Sequence, residues 1–436
     1  MTEISATDLA TEAYLYYYPL VENLRQVQRY VRTGIGSNPA APFNTFSHAR
    51  KLAGPEDTFV TINNDTVYSM AQLDLSAGPV RLEVPDTRDR YYVLQFIDAW
   101  TNNIAYVGTR ATGSQAARFL ITPPGWDGQV PDGFTLIPAS TTVLSIVGRF
   151  ACAGPDDILA VNAVQDAVVL TPLTANAPPP AGIPGTRPDA GDELAFWDQA
   201  WLWSQTFPAP PQDDQYAQRY APLHDSVGYD QDTLIAGYRA GVEKLEYLTH
   251  HGSSPVNNDW TVGLHAFDYN LYALGPGTID SDEWKITNPT HRIIERAVAD
   301  RLGLWGNHAY EAVYAQAFTD IDGNPLDGTS TYVIAFPDKP PVQAFWSITL
   351  YDIPRYYLVA NPIKRYSIGD RTQGIQYADD GSLTITIGNT EPDDPVGKAN
   401  WLPAPTGRFR LVLRLYIPGP QILDGSYQFP PIAKIR

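Results

Sequence analysis

Two groups of short runs rich in β-branched and aromatic residues constrain this chain more than any other feature. The first group holds VRLEV (80–84), RYYVLQFID (90–98), RFLIT (118–122), FTLIP (134–138) and TVLSIVGRF (142–150), separated by SAGP, PDTRD, PPGWDG and PDG. The second holds STYVIAF (330–336), AFWSITLYD (344–352), LTITIG (383–388) and FRLVLRLYI (409–417), with DIDGN, PDKPP and ADDGS as turns. Short strands at this spacing, punctuated by turn formers, are the signature of antiparallel sandwiches and barrels.

Helical patterns surround these groups. Leu9, Tyr14, Leu15, Tyr18, Val21, Leu24, Val27 and Val31 recur at helical spacing over 6–32, and Pro19 is expected to divide this stretch into two short helices. Residues 156–172 also read as helix, followed by a proline and glycine rich linker or surface loop at 174–192 and helical patterns at 192–207, 229–249 and 290–304. A chain of 436 residues exceeds one ordinary core. The expected fold is a multidomain α and β protein: two antiparallel β-sandwich or jelly-roll domains, a helical region between them and an N-terminal helical segment. The expected bounds are 1–55, 56–172, 173–308 and 309–436. RYYVLQFIDAWTNN near 90 and QAFWSITLYDIPRYYLVAN near 343 share an outline, an aromatic strand ending in aspartate with asparagine soon after, which suggests related topology.

Composition narrows function mainly by exclusion. Hydrophobic residues at 44% and charged residues at 18% describe a chain that folds. A net charge of -18 argues against nucleic acid and anionic membrane as partners, since both need a basic face. No run approaches a membrane span, and the acidic N-terminus lacks a signal peptide, so a cytoplasmic location is expected. The single cysteine, Cys152, excludes an intramolecular disulfide and reads as a buried apolar thiol.

The P-loop, the GxSxG elbow, HExxH and GxGxxG are all missing, so no cofactor is expected. The seven histidines show no metal-ligand spacing, and no metal is assigned, although distant ligands could converge. TDIDGNPLDG (319–328) resembles half of a calcium loop but lacks a glutamate at the twelfth position and reads as a connection between β segments. Within FVTINNDTVYSM (59–70), Asn64 and Asp65 are turn formers whose side chains are also dense in hydrogen-bonding groups, beside Tyr68 and not far from His48.

Several stretches resemble a bacterial family built from two successive domains of unknown function, DUF1254 and DUF1214. They are NTFSHARKLAGPED, NNDTVYSMAQLDLSAGPVRLEVPD, RYYVLQFIDAWTNN and YVGTRATG, then FWSITLYD, LVANPIKRYSIGDRT, ADDGSLTITIG, NWLPAP and FRLVLRLYIPGP. The resemblance implies two sandwich or jelly-roll domains with a helical portion, and carries no chemistry. Its motifs mark His48, Asn64, Asp65, Tyr68, Asp98, Trp100 and Asn102 as one candidate polar site. Trp346, Tyr351, Asp352, Asn361, Arg365, Tyr366, Asp370 and Arg371 form a comparable set, for which internal ion pairing of Arg365 and Arg371 with Asp352 or Asp370 is the plainer reading.

The expected function is a cofactor-independent enzyme acting on a small organic molecule by acid/base chemistry in an aromatic-lined interdomain pocket, by hydrolysis, elimination or isomerisation. Asp65 or His48 would be the base, Tyr68 a hydrogen-bond donor and Asp98 an orienting partner. Asn64, Trp100, Asn102, Trp346, Tyr351 and Arg365 would bind substrate. The alternatives are a small-molecule or carbohydrate binding protein without turnover, and a scaffold whose aromatics fill cores and contacts, with self-association into a homo-oligomer left open.

Overall fold

Runs of β-branched and aromatic residues between turn formers make strands where they are expected, and their order positions the site. The structure, a computed structural model, describes residues 4–58, 61–187, 191–224, 231–251 and 255–435. Parts of three expectations, residues 59–60, 188–190 and 229–230, lie outside the described residues.

The first β domain contains β1 (Phe46–His48), β2 (Thr66–Asp74), β3 (Val80–Val84), β4 (Tyr92–Asp98), β5 (Asn103–Gly108), β6 (Ala117–Thr122), β7 (Thr135–Pro138), β8 (Val143–Ala151) and β9 (Val169–Pro172). They form a five-stranded sheet, β1-β2-β8-β4-β5, and a four-stranded sheet, β9-β3-β6-β7. Leu94, Phe96, Leu144 and Ile146 of the first sheet share one buried core with Leu82, Phe119 and Ile121 of the second.

The second β domain contains β10 (Trp260–Val262), β11 (Ala312–Ala317), β12 (Tyr332–Phe336), β13 (Val342–Asp352), β14 (Ser367–Gly369), β15 (Leu383–Gly388), β16 (Trp401–Pro403), β17 (Phe409–Pro418) and β18 (Ile432–Lys434). Its sheets run β10-β11-β17-β13-β14, with Val256–Asn257 added at the β10 edge, and β18-β12-β15-β16. The two domains therefore have the same strand order, each strand of the first matching the strand nine places later.

The sheets are not wholly antiparallel as expected. β6 runs parallel to β7, and β15 to β16. Residues 123–134 and 389–400 carry the chain back to the same end of the sheet, which parallel neighbours require. Register confirms the correspondence: Asp98 at the end of β4 stands opposite Leu144, and Asp352 at the end of β13 opposite Phe409. Gly108 lies opposite Val93 and Gly369 opposite Ser347. A Cβ at either glycine would run into a backbone carbonyl, of Tyr92 or of Trp346. The shared outline read near 90 and 343 is thus β4 and β13 in equivalent places.

The helices are α1 (Ala6–Arg32), α2 (Ile158–Asp166), α3 (Asp192–Thr206), α4 (Asp214–His224), α5 (Gln231–His250) and α6 (Pro289–Gly303). Against expectation α1 runs unbroken through Pro19. The lost hydrogen bond costs about 3 kcal/mol, but Tyr14, Tyr16, Tyr17, Leu20 and Leu24 on this helix are buried against α3, α5 and α6. Gly237 and Gly241 of α5 permit that approach, since a Cβ at Gly241 would enter the Tyr14 ring. The stretch expected as helix to 172 stops at Asp166 and continues as β9, α4 was not anticipated, and β10 comes from residues expected in the helical region. No helix among the described residues is long and apolar enough to cross a membrane.

Candidate functional site

Strand alternation sorts β17 into two faces. Leu411, Leu413 and Leu415 enter the core of the second domain, so Arg410, Val412, Arg414 and Tyr416 project from the other face. On the adjacent β13, Ser347, Thr349 and Tyr351 stand opposite Arg414, Val412 and Arg410. Tyr314 of β11 is opposite Arg414, and Tyr68 of β2 is opposite Arg149 of β8. By the register of Asp98 and Asp352, Arg149 matches Arg414 and Tyr68 matches Tyr314.

The loop before β2 closes the gap between the domains. Asn63 Oδ1 accepts the N–H groups of Asp65 (2.6 Å) and Thr66 (3.1 Å), which makes the segment a tight turn. The Asp65 carboxylate then reaches the second domain, accepting the Tyr416 hydroxyl at 2.9 Å and the Ser347 hydroxyl. Asn63 Nδ2 donates to the Tyr416 oxygen at 2.6 Å, Tyr351 donates to the Ile62 carbonyl at 2.7 Å, and Ser367 donates to Asn64 at 3.0 Å. Arg414 donates to the Thr61 carbonyl, the Tyr351 hydroxyl and Thr349, while Arg371 donates to the Asp65 carbonyl at 2.9 Å. The polar knot is both a turn and an interdomain contact.

Aromatic rings and further polar groups extend this junction. Phe345 stacks on Tyr416 with centroids 4.1 Å apart, and the Arg371 guanidinium lies 3.4 Å from the Phe345 centroid. Arg149 donates to Gln95 (2.7 Å), Asn307 (3.3 Å) and the Trp305 carbonyl (2.8 Å), with the Tyr68 ring 5.5 Å away. Asn307 donates to the Tyr314 hydroxyl, and Tyr91 donates to Glu311, which pairs with Arg110. Burial, reinforced by Asp65 for Tyr416 and by Glu311 for Tyr91, holds both phenols well above the usual range. Burial also raises Tyr314. These three phenols are therefore neutral donors at ordinary pH. Tyr68, Trp305 and Tyr314 are half-buried, whereas Arg149 and Arg414 are buried.

The sequence candidates divide among several places. Asp65, Tyr68, Asn64, Tyr351 and Arg371 meet at the junction. His48 does not: it bonds Ser69 through Nδ1 at 2.8 Å, and Ser69 points to the face of β2 opposite Tyr68. There it lines an open depression of about 540 Å³ with Arg50 and Asp57, and burial and Arg50 lower its pKa to about 4. Asp98 sits in a closed cage at the end of β4, accepting the backbone N–H groups of Trp100 and Asn102 and the side chains of Asn102 and Ser140. Trp100 packs on Tyr16 and Tyr17 and donates to the Phe207 carbonyl, and Asn102 accepts from Arg296.

In the second domain Trp346 is buried against Phe336, on the core face of β13. Arg365 donates to the carbonyls of Ala399 and Trp401 rather than to a carboxylate. Asp352 pairs with Arg355 and caps the Tyr357 amide, Asn361 closes a turn with Arg365, Tyr366 packs beside Tyr351, and Asp370 accepts the Trp346 amide. Asp320, in the calcium-like segment, accepts the amides of Asp322 and Asn324, as a turn does. Cys152 is buried. Among the described residues no group of three or more His, Cys, Asp or Glu could hold a metal ion.

Sequence reasoning missed Arg149, Arg414, Tyr314, Tyr416 and Ser347. The available signal was two arginines four residues apart in an otherwise apolar strand, as in FRLVLRLY, where the pleat puts both on one face, away from the core.

Residues 43–172 match the model of a protein of unknown function, DUF1254, and residues 311–420 that of a protein of unknown function, DUF1214. No curated protein matches the chain. The crystal structure of the VPA0106 protein from Vibrio parahaemolyticus is 24% identical with a TM-score of 0.76, over 99% of this chain and 100% of that one, which shows a common fold. An uncharacterized protein from Burkholderia cenocepacia is 12% identical with a TM-score of 0.46, over 98% of this chain and 88% of that one.

Proposed function

The chain belongs to the family in which a DUF1254 domain is followed by a DUF1214 domain, and from that premise we propose that the junction of its two β-sandwich domains is a small-molecule site running acid/base chemistry without an organic cofactor. One observation carries this reading: two Tyr-Arg pairs at equivalent register, Tyr68 with Arg149 and Tyr314 with Arg414, border the same junction. The two pairs are joined by one side chain, since Asn307 accepts from Arg149 and donates to the Tyr314 hydroxyl. Structural duplication alone supplies a core. It does not require buried guanidinium groups beside half-buried phenols at the same boundary.

In this reading Tyr68 and Tyr314 donate hydrogen bonds to a substrate oxygen. Arg149 and Arg414 stabilise negative charge that develops there. Asp65 is the base, reached through the Tyr416 hydroxyl that it holds. Hydrolysis, elimination and isomerisation all use such a set.

Binding without turnover is the second reading. It is favoured by the two protein hydroxyls already on Asp65 and by the placement of His48 on the opposite face of β2. Native mass spectrometry of protein purified without chelator, beside a Tyr68→Phe/Tyr314→Phe variant, tests the site itself. A molecule retained by the wild type and lost from the variant supports it, and equal retention by both contradicts it. Re-incubation of the released molecule separates the readings, since an enzyme converts it and a binding protein returns it unchanged.

A further inference from the structure

We infer that the molecule taken at the interdomain junction is a small organic anion bearing a carboxylate or comparable oxyanion, a conclusion that rests on reading the junction as a small-molecule site. Arg149, Arg371, Arg410 and Arg414 converge on this boundary, and the side-chain and carbonyl acceptors they use are neutral. Arg149 has Gln95, Asn307 and the Trp305 carbonyl; Arg414 has Thr349, Tyr351 and the Thr61 carbonyl. Arg371 has the Asp65 carbonyl, and Arg410 has Gln316 and the Thr61 hydroxyl. The Nε groups of Arg371 and Arg410 are buried without a hydrogen-bond partner.

Elsewhere Arg90 pairs with Asp157, Arg110 with Glu311 and Arg292 with Asp213, while Arg296 and Arg365 each rest singly on neutral acceptors; at the junction four such guanidinium groups gather. There Asp65 lies near Arg371 and Arg414 and Asp370 near Arg371, and Asp370 already accepts the Trp346 amide. Carboxylates are plentiful in a chain of net charge -18, so this local excess of positive charge runs against the whole molecule. Burial works against the charge on Arg371 and Arg410 and lowers both from the usual guanidinium value, yet guanidinium groups stay protonated in proteins. Enclosed cations without anionic partners are expensive. An anion entering the junction would relieve that cost, and the planar guanidinium fork suits a carboxylate. The phenols of Tyr68 and Tyr314 add donors, while the half-buried Trp305 ring, packed in the same cluster as Tyr68, offers apolar surface to the body of the ligand.

Isothermal titration of the full chain with sodium benzoate and sodium malonate, against benzamide and malonamide at constant ionic strength, tests this. At least one carboxylate is expected to bind about tenfold or more tightly than its amide, and Arg149→Gln and Arg414→Gln are each expected to weaken it by about tenfold. Equal binding of acid and amide, both weakened by Tyr68→Phe, would overturn the anion while leaving the site intact. Carboxylate binding that survives both arginine changes would place the anion elsewhere and also overturn it. Binding of none of the four probes would remove the site and the anion together. Should the glutamine variants fail to fold, Arg149→Lys and chloride competition against benzoate on the wild type replace them. Weakening by either supports the proposal, and insensitivity to both contradicts it.

Discussion

Tyr68 and Tyr314 occupy equivalent register positions in two domains of identical strand order, each directly opposite an arginine one strand away. The repeat at the level of topology is thus also a repeat of side-chain chemistry at the domain boundary. If that boundary binds a ligand, Tyr68→Phe and Tyr314→Phe should each weaken binding by about five- to tenfold, the loss of one hydrogen bond, with little change in stability. Titration of each variant beside its melting midpoint checks this.

The two strand-edge glycines should respond alike. Gly108→Ala and Gly369→Ala each drive a Cβ into a carbonyl of the neighbouring strand, which costs about 1–3 kcal/mol. Comparable losses in urea midpoint are expected, with the Gly108 change somewhat worse because its φ of 145° also strains an L-residue.

Asp98 and Asp65 should separate structure from function. Asp98→Ala strands four donors in a closed cage and should cost about 3 kcal/mol or more. Ligand binding per folded molecule should nevertheless be unchanged. Asp65→Asn keeps the shape of the turn and should cost about 1–3 kcal/mol, yet abolish any turnover. Unfolding curves and activity normalised to folded protein distinguish the two.

His308 predicts an acid-side loss of stability. Its Nδ1 faces the Tyr106 and Tyr310 hydroxyls, Asp268 lies 3.8 Å from Nε2, and burial and Arg110 lower its pKa from 6.5 to about 3. The unfolded chain binds the proton first, so this contribution is present above about pH 6.5 and is lost as pH falls towards 3, about 2 kcal/mol by pH 5. The neighbouring Asp268 and the more distant Asp300 are raised by burial and contribute with the opposite sign. The difference between the wild type and His308→Gln isolates the histidine, and should shrink by about 2 kcal/mol as pH falls from about 7.5 to about 5.

Most strands were legible as β-branched and aromatic runs between turn formers, and VRLEV and LTITIG, which also alternate between buried and exposed, are strands at the bounds read from sequence. Pro19 misled because tertiary packing of α1 outweighs one missing hydrogen bond, a balance invisible along the chain. Asp98 and Asp352 stood out because they recur, yet both end strands by capping backbone amides. Asp65 and Tyr68 were legible as polar residues in a turn, but their partners lie some 80 to 350 residues away in Arg149, Ser347 and Tyr416. Sequence order gives no measure of such contacts, and adjacent strand residues such as Tyr68 and Ser69 point to opposite faces.

A crystal structure of the chain soaked with benzoate tests the central claim most directly. The prediction is ordered density at the interdomain junction, with the carboxylate bonded to Arg149 or Arg414 and to Tyr68 or Tyr314. Density instead in the helical cavity lined by Tyr18, Arg25 and Tyr238, or in the depression beside His48, would contradict it, as would a junction left unchanged by the soak.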